Sequence, residues 1–262
     1  MNRATEIIRD ADALLIMTGA GMGVDSGLRT WRGPTAGNWK SMYGFEYTEL
    51  SSGDIFLDPN RLSIAQRFWD DCRRGYNNAI PHEGYNILMK WTRSRDAFVY
   101  STNVDNHWAK AGWLEAHPNS LFEVHGNISR VQCIQRDNRM CRKKIFDVNE
   151  HDTCPSCAGP FRPNIYMFDD VWINKSHIRG EEEKYNRWVK MYMRRKKHNL
   201  AIIEIGAGLT LPTIRMESLR VARGSGSPVI RINTEDDPDE ISNVLHLKGG
   251  ALDVLQSIDK NL

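Results

Sequence analysis

No stretch of this 262-residue chain is both long and apolar enough to cross a bilayer. The longest uncharged apolar run leads into a glycine-rich loop after residue 17, and it is too short and too rich in glycine for a transmembrane helix. The first ten residues mix charges of both signs where a signal peptide needs its apolar region, so no export signal is read and a cytoplasmic location is expected. An excess of one charge is also missing. Lys and Arg total 35 against 33 Asp and Glu, and a net charge of +2 gives no argument for a polyanionic partner. Cysteine is scarce, and in an intracellular chain the five present read as ligands or buried thiols rather than disulfides. No internal repeat or low-complexity tract appears. What remains, 40% hydrophobic and 26% charged, suits a chain able to bury a substantial core in one domain or one and a half.

The stretch that organises this chain begins at Ala13-Leu14-Leu15-Ile16-Met17, a continuous apolar run that reads as a buried parallel strand. It opens directly into glycines at 19, 21 and 23. Glycines at a strand exit let the backbone turn sharply and let its N–H groups approach a pyrophosphate at a helix N-terminus. The spacing is G-x-G-x-G rather than the G-x-G-x-x-G of dehydrogenases, and no acidic residue ends an obvious second strand about 20 residues on. On its own the loop leaves two readings evenly matched: a dinucleotide cradle, or a glycine-rich strand exit with no ligand.

Along the chain, a short helix over residues 2 to 11 precedes that strand. From residue 31 to about 78 the pattern breaks into a loop rich in Gly, Ser and aromatics, followed by a helical segment over 60 to 74. This is long for a crossover and reads as a lid or small helical module, with Cys72 on the buried face of its helix. Another helix starts at Pro81. Strands are expected over 97 to 100 and 121 to 124, ending in the polar groups Ser101-Thr102-Asn103-Val104-Asp105 and His125-Gly126. Those endings sit at the carboxyl ends of parallel strands, where open α/β sheets hold ligands. A helix is expected over 181 to 198, and its basic end, Arg194 to Lys197, reads as a solvated terminus. Strands over 200 to 205, 228 to 232 and 244 to 247 and a closing helix over 250 to 258 complete the alternation. The first two of those strands open into Gly206-Ala207-Gly208 and Asn233.

Residues 129 to 163 interrupt this alternation with four cysteines. Cys154-Pro155-Ser156-Cys157 is a knuckle-type C-x-x-C, and Cys133 and Cys141 supply two further thiolates at the wider spacing C-x7-C. So polar a segment has little to fold around without a staple, and zinc provides one. A redox dithiol at Cys154 and Cys157 leaves the other two unexplained. Four thiolates close the coordination sphere, so the expected metal is structural.

Taken together, these pieces resemble the sirtuins, NAD-dependent protein deacylases with a Rossmann-type domain and a small inserted zinc module. Gly19-Ala20-Gly21 through Ser26-Gly27-Leu28 and Trp31-Arg32-Gly33 resemble the family's opening signature. Asn103, Asp105 and Ala111-Gly112 resemble its second block, His125-Gly126 its catalytic histidine, and Gly206-Ala207-Gly208-Leu209 and Ile232-Asn233 its later nucleotide-binding turns. Order and spacing hold from about residue 5 to 258. The resemblance implies an α/β fold, a Rossmann-like doubly wound parallel sheet, from residues 1–128 and 164–262. A cofactor loop and helical lid over 34–80 and a zinc-binding module over 129–163 would interrupt it. It implies NAD, consumed as co-substrate, with Gly19, Ala20, Gly21, Trp31 and Arg32 about the pyrophosphate and adjoining ribose and Asp25 nearby. Thr102 and Asn103 would line the nicotinamide ribose, and Asp105 would take the carboxamide. Gly206, Ala207, Gly208 and Asn233 would line the adenosine side, and His125 would be the general base. Imidazole, with an ordinary pKa near 6.5, suits removal of a ribose hydroxyl proton at neutral pH.

Several residues depart from that family pattern. Arg29-Thr30-Trp31-Arg32 stands where Pro-Asp-Phe-Arg is usual, and Thr102 replaces a glutamine. His107-Trp108 replaces Leu-His, with His107 read as a packing or supporting residue beside the site. After the zinc module, Phe168-Asp169-Asp170 replaces a Phe-Gly-Glu strand whose backbone pairs with substrate peptide, so an acidic side chain stands where glycine allows close approach. Asp169 would favour a basic substrate, obstruct an acyl-lysine peptide, or cap the next helix. The first reading is an acyl-lysine deacylase acting on protein or peptide. A mono-ADP-ribosyltransferase or NAD glycohydrolase using the same NAD site, and a non-catalytic NAD or ADP-ribose sensor, are the alternatives.

Overall fold

A computed structural model describes residues 1–30, 37–135, 141, 144–194, 199–235 and 242–262. Among them run nine strands: β1 (Ala13–Thr18), β2 (Asp96–Ser101), β3 (Leu121–Glu123), β4 (Gly126–Cys133), β5 (Phe146–Asp147), β6 (Phe161–Ile165), β7 (Leu200–Ile205), β8 (Val229–Asn233) and β9 (Val244–Lys248). The α-helices are α1 (Asn2–Arg9), α2 (Trp39–Tyr43), α3 (Tyr47–Leu50), α4 (Leu62–Asn78), α5 (Glu83–Thr92), α6 (His107–Lys110), α7 (Trp113–Ala116), α8 (Ser176–Arg194), α9 (Thr213–Ser225) and α10 (Ala251–Asp259). Tighter 3-10 turns cover Ala20–Ser26 and Gly53–Leu57. No helix among the described residues is long and apolar enough to cross a membrane.

Six strands form one parallel sheet in the order β3-β2-β1-β7-β8-β9. The order reverses between β1 and β7, which makes their carboxyl ends the topological switch point of a doubly wound sheet. All six residues of β1 are buried because both faces are covered. Leu14 and Ile16 point into a core shared with α1, α5 and α10, whereas Ala13, Leu15 and Met17 point into a second core shared with α8 and α9. That split follows the two-residue period of a strand.

A third core lies under the helical segment that precedes α5. Phe68 and Trp69 of α4 pack with Tyr43, Leu50, Ile55 and Phe56, and this cluster extends to Val104, Ile128 and Ile165. Cys72 is half-buried on the same face, and burial pushes its thiol up to about 12. The Lys110 ammonium donates to the carbonyls of Tyr76, Asn77 and Ala79, tying the carboxyl end of α4 to the loop that follows β2. The expected lid is therefore tied to α6 by Lys110 and packed along a hydrophobic face on Val104 and on β4 and β6.

β5, β4 and β6 form a separate antiparallel sheet that carries the cysteines. The boundaries expected at 129 and 163 fall inside β4 and β6. The two strands pair from Gly126 and Ile165 at the sheet side to Cys133 and Phe161 at the metal side, with a register shift between Asn127 and Val131. The helix expected over 181 to 198 begins earlier, at Ser176, where Asn174 Oδ1 accepts from the Ser176 N–H. Residues 195 to 197 of its basic end lie outside the described residues.

One feature of the sheet is not visible in the apolar runs alone. Glu204 of β7 and Arg231 of β8 stand opposite one another in register. Their side chains are 1% and 2% exposed and pair through Nε–Oε1 at 2.6 Å and Nη2–Oε2 at 3.1 Å, with the Ser218 hydroxyl of α9 also donating to Glu204. Arg231→Met strands a buried carboxylate and is expected to cost roughly 3–5 kcal/mol in urea denaturation. The double variant Glu204→Leu, Arg231→Met is expected to regain most of that loss. A double variant no more stable than the single one would mean that packing, not charge pairing, holds this site.

Candidate active site

Register fixes the site before any side chain is considered. Thr18 of β1 is level with Ser101 of β2 and with Ile205 of β7, so Gly19, Thr102 and Gly206 leave the sheet at one height. The turns after β1 and β7 then press backbone on backbone. Gly19 N–H donates to Ile205 O and Gly21 N–H to Gly206 O, at 2.9 and 3.1 Å. A Cβ on Gly19 would come within 2.6 Å of Gly206 O, one on Gly21 within 2.6 Å of Gly206 Cα, and Gly206 itself has φ +63°. No side chain fits at these three positions. Two of the N–H groups expected to face a pyrophosphate are thus committed to the neighbouring turn, and the glycines serve first to bring two strand exits together. The Gly206 Cα and carbonyl sit against the chain from Gly19 to Met22, which begins the short helix Ala20–Ser26.

The loop after β2 is pinned to the same point. Trp108 Nε1–H donates to Thr18 Oγ1, the Thr18 hydroxyl donates to Ser101 Oγ, and Asn103 N–H also donates to Ser101 Oγ. The Asn103 side-chain amide donates to Gly19 O at 3.0 Å. Thr102 N–H closes the ladder on Thr18 O. Asp105 is buried, with Oδ1 accepting from the His107 N–H at 3.0 Å. Its Oδ2 lies 3.5 Å from where a Gly23 Cβ would stand, so this carboxylate sits under the glycine loop. Burial raises its pKa, while His107 and Lys110 pull it back down.

His125 lies just beyond β3, its Nδ1 3.2 Å from Thr102 O. A carbonyl only accepts, so Nδ1 carries the hydrogen and Nε2 keeps its lone pair. Burial lowers the His125 pKa, and the Thr102 carbonyl only partly offsets this. The ring is therefore neutral at pH 7, with its basic nitrogen set by the backbone of the neighbouring strand exit. Gly126 follows at φ +80°, where a Cβ would meet Asn164 O at 2.2 Å.

The remaining sequence candidates divide into three groups. Ala207 is buried, and its carbonyl accepts from Asn233 Nδ2 at 2.8 Å and Arg215 Nε at 3.0 Å, so Asn233 shapes the turn after β7. Gly208 is exposed with open space around it, and Ala20 is exposed at the start of the short helix after β1. Asp25 caps α10, its Oδ2 accepting from Leu252 N–H at 2.8 Å. Trp31 and Arg32 lie outside the described residues.

Two buried groups near the site are not marked by any motif in the sequence. His82, at the start of α5, accepts from Gly84 N–H through Nδ1 and donates from Nε2 to Met22 O, and its own N–H donates to Ser26 Oγ. It thus braces the glycine loop from below. Glu123, two residues before His125, is 4% exposed and receives both its oxygens' contacts from Asn127 Nδ2, at 2.7 and 2.6 Å. Burial, reinforced by Glu181, pushes the Glu123 carboxyl up to about 8. An acidic residue within an apolar strand was the available signal in both Glu123 and Glu204.

Beyond β6, Tyr166 N–H donates to His125 O, Phe168 N–H to Ser51 O, and Gly53 N–H to Phe168 O. Asp169 is exposed and left-handed at φ +55°, the conformation expected of a glycine position. It does not cap α8, since Asn174 does so. The buried Asp170 pairs with Arg162 instead.

The four cysteine sulfurs lie within 4.8 Å of one another, with Cys133 Sγ–Cys157 Sγ at 3.5 Å and Cys141 Sγ–Cys154 Sγ at 3.7 Å. Tetrahedral zinc with bonds of about 2.3 Å needs sulfurs about 3.8 Å apart. The set therefore fits zinc and leaves no open coordination position. None of the five cysteines is in a disulfide. A small cleft beside this module is lined by Phe56, Gln132, Arg162 and Trp172 among others and by none of the strand-exit residues. The candidate site is thus defined by the convergence of its chemistry rather than by cavity size.

An open, doubly wound parallel sheet, a polar set gathered at its switch point and a four-thiolate module spliced between its halves define a Rossmann-like α/β protein with an inserted zinc-binding module. The chain belongs to the Sir2 family, whose model matches residues 19–207. It is 26% identical over 246 residues to the NAD-dependent protein deacylase of Aquifex aeolicus (strain VF5), covering 94% of this chain and 93% of that protein. It is also 26% identical over 249 residues to NAD-dependent protein deacylase 2 of Corynebacterium efficiens, covering 89% and 86%. A structure from work on the structural basis of sirtuin substrate affinity superposes with a TM-score of 0.75 at 19% identity, covering 100% of this chain and 98% of that one. Sir2Tm bound to a propionylated peptide superposes at 0.71 and 18% identity, with the same coverage.

Glu123 gives this region a pH signature. Its carboxyl ionises near 4.5 ordinarily and near 8 in the fold, so the fold binds that proton more tightly. The resulting stability is complete below about pH 4.5 and is lost as pH rises towards 8. Glu123→Gln is expected to match the wild type near pH 5 and to exceed it by on the order of a few kcal/mol at pH 8 in urea midpoints. A gap that is the same at both pH values would mean Glu123 ionises normally. Metal analysis by mass spectrometry is expected to find one zinc per chain, with chelation or Cys141→Ser lowering the melting temperature. A metal-free protein of undiminished stability would contradict the zinc assignment.

Proposed function

We propose that this chain is an NAD-dependent protein-lysine deacylase, which cleaves NAD at the nicotinamide–ribose bond and transfers the acyl group to ADP-ribose. The observation that carries the reading is the convergence of His125, Asn103 and Asp105 on one switch point, held there by backbone bonds rather than by flexible side chains. NAD supplies an activated ribose carbon once its nicotinamide bond is strained. The work of the protein is then positioning and proton handling.

In this reading, Gly19, Ala20 and Gly21 flank the pyrophosphate, while Gly206, Ala207 and Gly208 form the adenosine side in a turn kept in shape by Asn233. Trp31 and Arg32, which lie outside the described residues, keep the cofactor-binding role that the family signature implies, and Asp25 acts indirectly by fixing α10 to the glycine loop. Thr102 and Asn103 face the nicotinamide ribose, and Asp105 accepts from the carboxamide N–H. The neutral His125, with its Nε2 lone pair free, takes the ribose hydroxyl proton. The roles of Asn103 and His125 are linked, because the one carries Gly19 and the other leans on Thr102. Asp169 faces outward next to the segment that follows His125 in the sheet register, where it selects among acyl substrates or alternative acceptors. Domain organisation follows the same lines, with a nucleotide-binding body from residues 1–128 and 164–262, a lid over 34–80 and a structural zinc module over 129–163. Five cysteines with no disulfide among them support a cytoplasmic location.

Purified protein incubated with labelled NAD and an acetylated-peptide pool is expected to yield nicotinamide, free lysine peptide and O-acyl-ADP-ribose by mass spectrometry. Free ADP-ribose or ADP-ribosylated protein in their place would transfer the reading to glycohydrolase or transferase chemistry, an outcome that the Asp169 position makes worth measuring. Intact NAD bound at measurable affinity would make the chain a sensor. His125→Ala is expected to keep NAD binding and lose roughly 100-fold or more in turnover. Normal turnover by this variant would remove the assignment of the base.

A further inference from the structure

His107 is completely buried, and neither ring nitrogen has a partner of hydrogen-bonding geometry among the described residues. The Tyr76 backbone faces the ring without reaching that geometry. The Tyr85 hydroxyl, on the neighbouring α5, is buried without a partner as well. The two rings lie edge to face, with centroids 6.0 Å apart. Three orphaned polar atoms in one place are costly, at about 1–3 kcal/mol for each buried group left unpaired. An apolar side chain at 107 would pack among Tyr85, Trp108 and Trp113 without that cost. Packing alone therefore does not account for a histidine here.

What distinguishes this corner is the Asp105 carboxylate. Its described contact is the His107 N–H, and its charge and that of the His107 ring act on each other. The other groups facing it are Tyr76 from α4, Tyr85 from α5, Lys110 from α6 and Glu123 from β3. The Lys110 ammonium is spent on three carbonyls, Glu123 has both its oxygens turned to Asn127 Nδ2, and burial keeps the tyrosines neutral, so that the Tyr85 hydroxyl is the one other uncommitted donor among these groups. His82 is nearby but spends both ring nitrogens on Met22 and Gly84. Among the described residues, His107 is the nitrogen donor beside Asp105 whose ring is not engaged elsewhere.

We propose that His107 is a positioning residue for nicotinamide: its ring, through one ordered water, donates to the Asp105 carboxylate and leaves it anionic and oriented to accept the carboxamide N–H of the base. The inference rests on the reading of the switch point as an NAD site. It makes binding of the base, rather than of the ADP-ribose portion, the property that position 107 controls. No bond is made or broken at His107, and the proton stays within the pair.

The test is calorimetric titration of nicotinamide into ADP-ribose-loaded protein, which does not require turnover. His107→Leu and His107→Phe are expected to weaken nicotinamide roughly 10- to 100-fold, the range for a lost hydrogen bond to a charged group, with the thermal shift from ADP-ribose retained. His107→Gln, which keeps a donor, is expected to restore most of the affinity. The proposal is overturned if a variant that still shifts with ADP-ribose binds nicotinamide as the wild type does. It is equally overturned if phenylalanine restores binding as well as glutamine, since filling the space would then be enough, or if the wild-type protein binds no nicotinamide. Wild-type protein that binds nicotinamide in a His107-dependent way but leaves NAD intact would defeat the deacylase reading and leave the role of His107 standing.

Discussion

The contact on which the rest of this structure depends is the one between the backbones of two turns, Gly19 to Met22 after β1 and Gly206 after β7. Parallel strands diverge at a switch point, and their exits separate unless something draws them together. Here main-chain N–H groups and the absence of Cβ atoms do so. Every other strand-end residue is then referenced to that contact: Asn103 through Gly19 O, Thr102 through Thr18 O, His125 through Thr102 O and Asn233 through Ala207 O. The site is a relay of backbone carbonyls, and its precision comes from the sheet register.

Within this relay, environment separates the roles of similar groups. His125 and His82 are both kept neutral by burial, but each hydrogen-bond partner fixes a different nitrogen. His125 thereby keeps a free basic nitrogen, whereas His82 becomes a brace with none. Among the carboxyls, Asp25 is an exposed helix cap, Glu204 is neutralised by Arg231, and Glu123 and Asp105 are pushed towards their protonated forms. Burial outweighs the nearby cations at both of the last two, Arg130 at Glu123 and Lys110 at Asp105, and only Asp105 has an uncommitted imidazole beside it.

Much of this was legible in the sequence, and the reason is periodicity. Continuous apolar runs followed by Gly, Asn or His mark buried parallel strands and their exits, so the strands and the strand-end candidates were readable from residues 13 to 27, 97 to 105, 121 to 126 and 200 to 208. The spacing of Cys154 and Cys157 announced a thiolate knuckle and left Cys133 and Cys141 as its two further ligands, and the fold brings all four sulfurs within 4.8 Å of one another. Side-chain commitments were not legible. A pattern cannot tell that Asp25 caps a helix 227 residues away along the chain, or that Gly21 N–H is already taken by Gly206. Such facts depend on which elements become neighbours. Glu204 and Arg231 sit between these cases: each charge in an apolar strand was visible, but their pairing needed the register.

Asp169 carries one more consequence. With φ at +55°, its backbone occupies a region that glycine enters freely and that asparagine and aspartate enter far more readily than other side chains. Where a lineage replaces glycine at such a point, conformational cost filters the replacements before any substrate does, and the survivors are short, polar and often acidic. The charge now exposed at this rim therefore has a stereochemical origin as well as a chemical effect. Divergence in what such a protein acts on can begin as nothing more than the backbone's tolerance for a particular side chain.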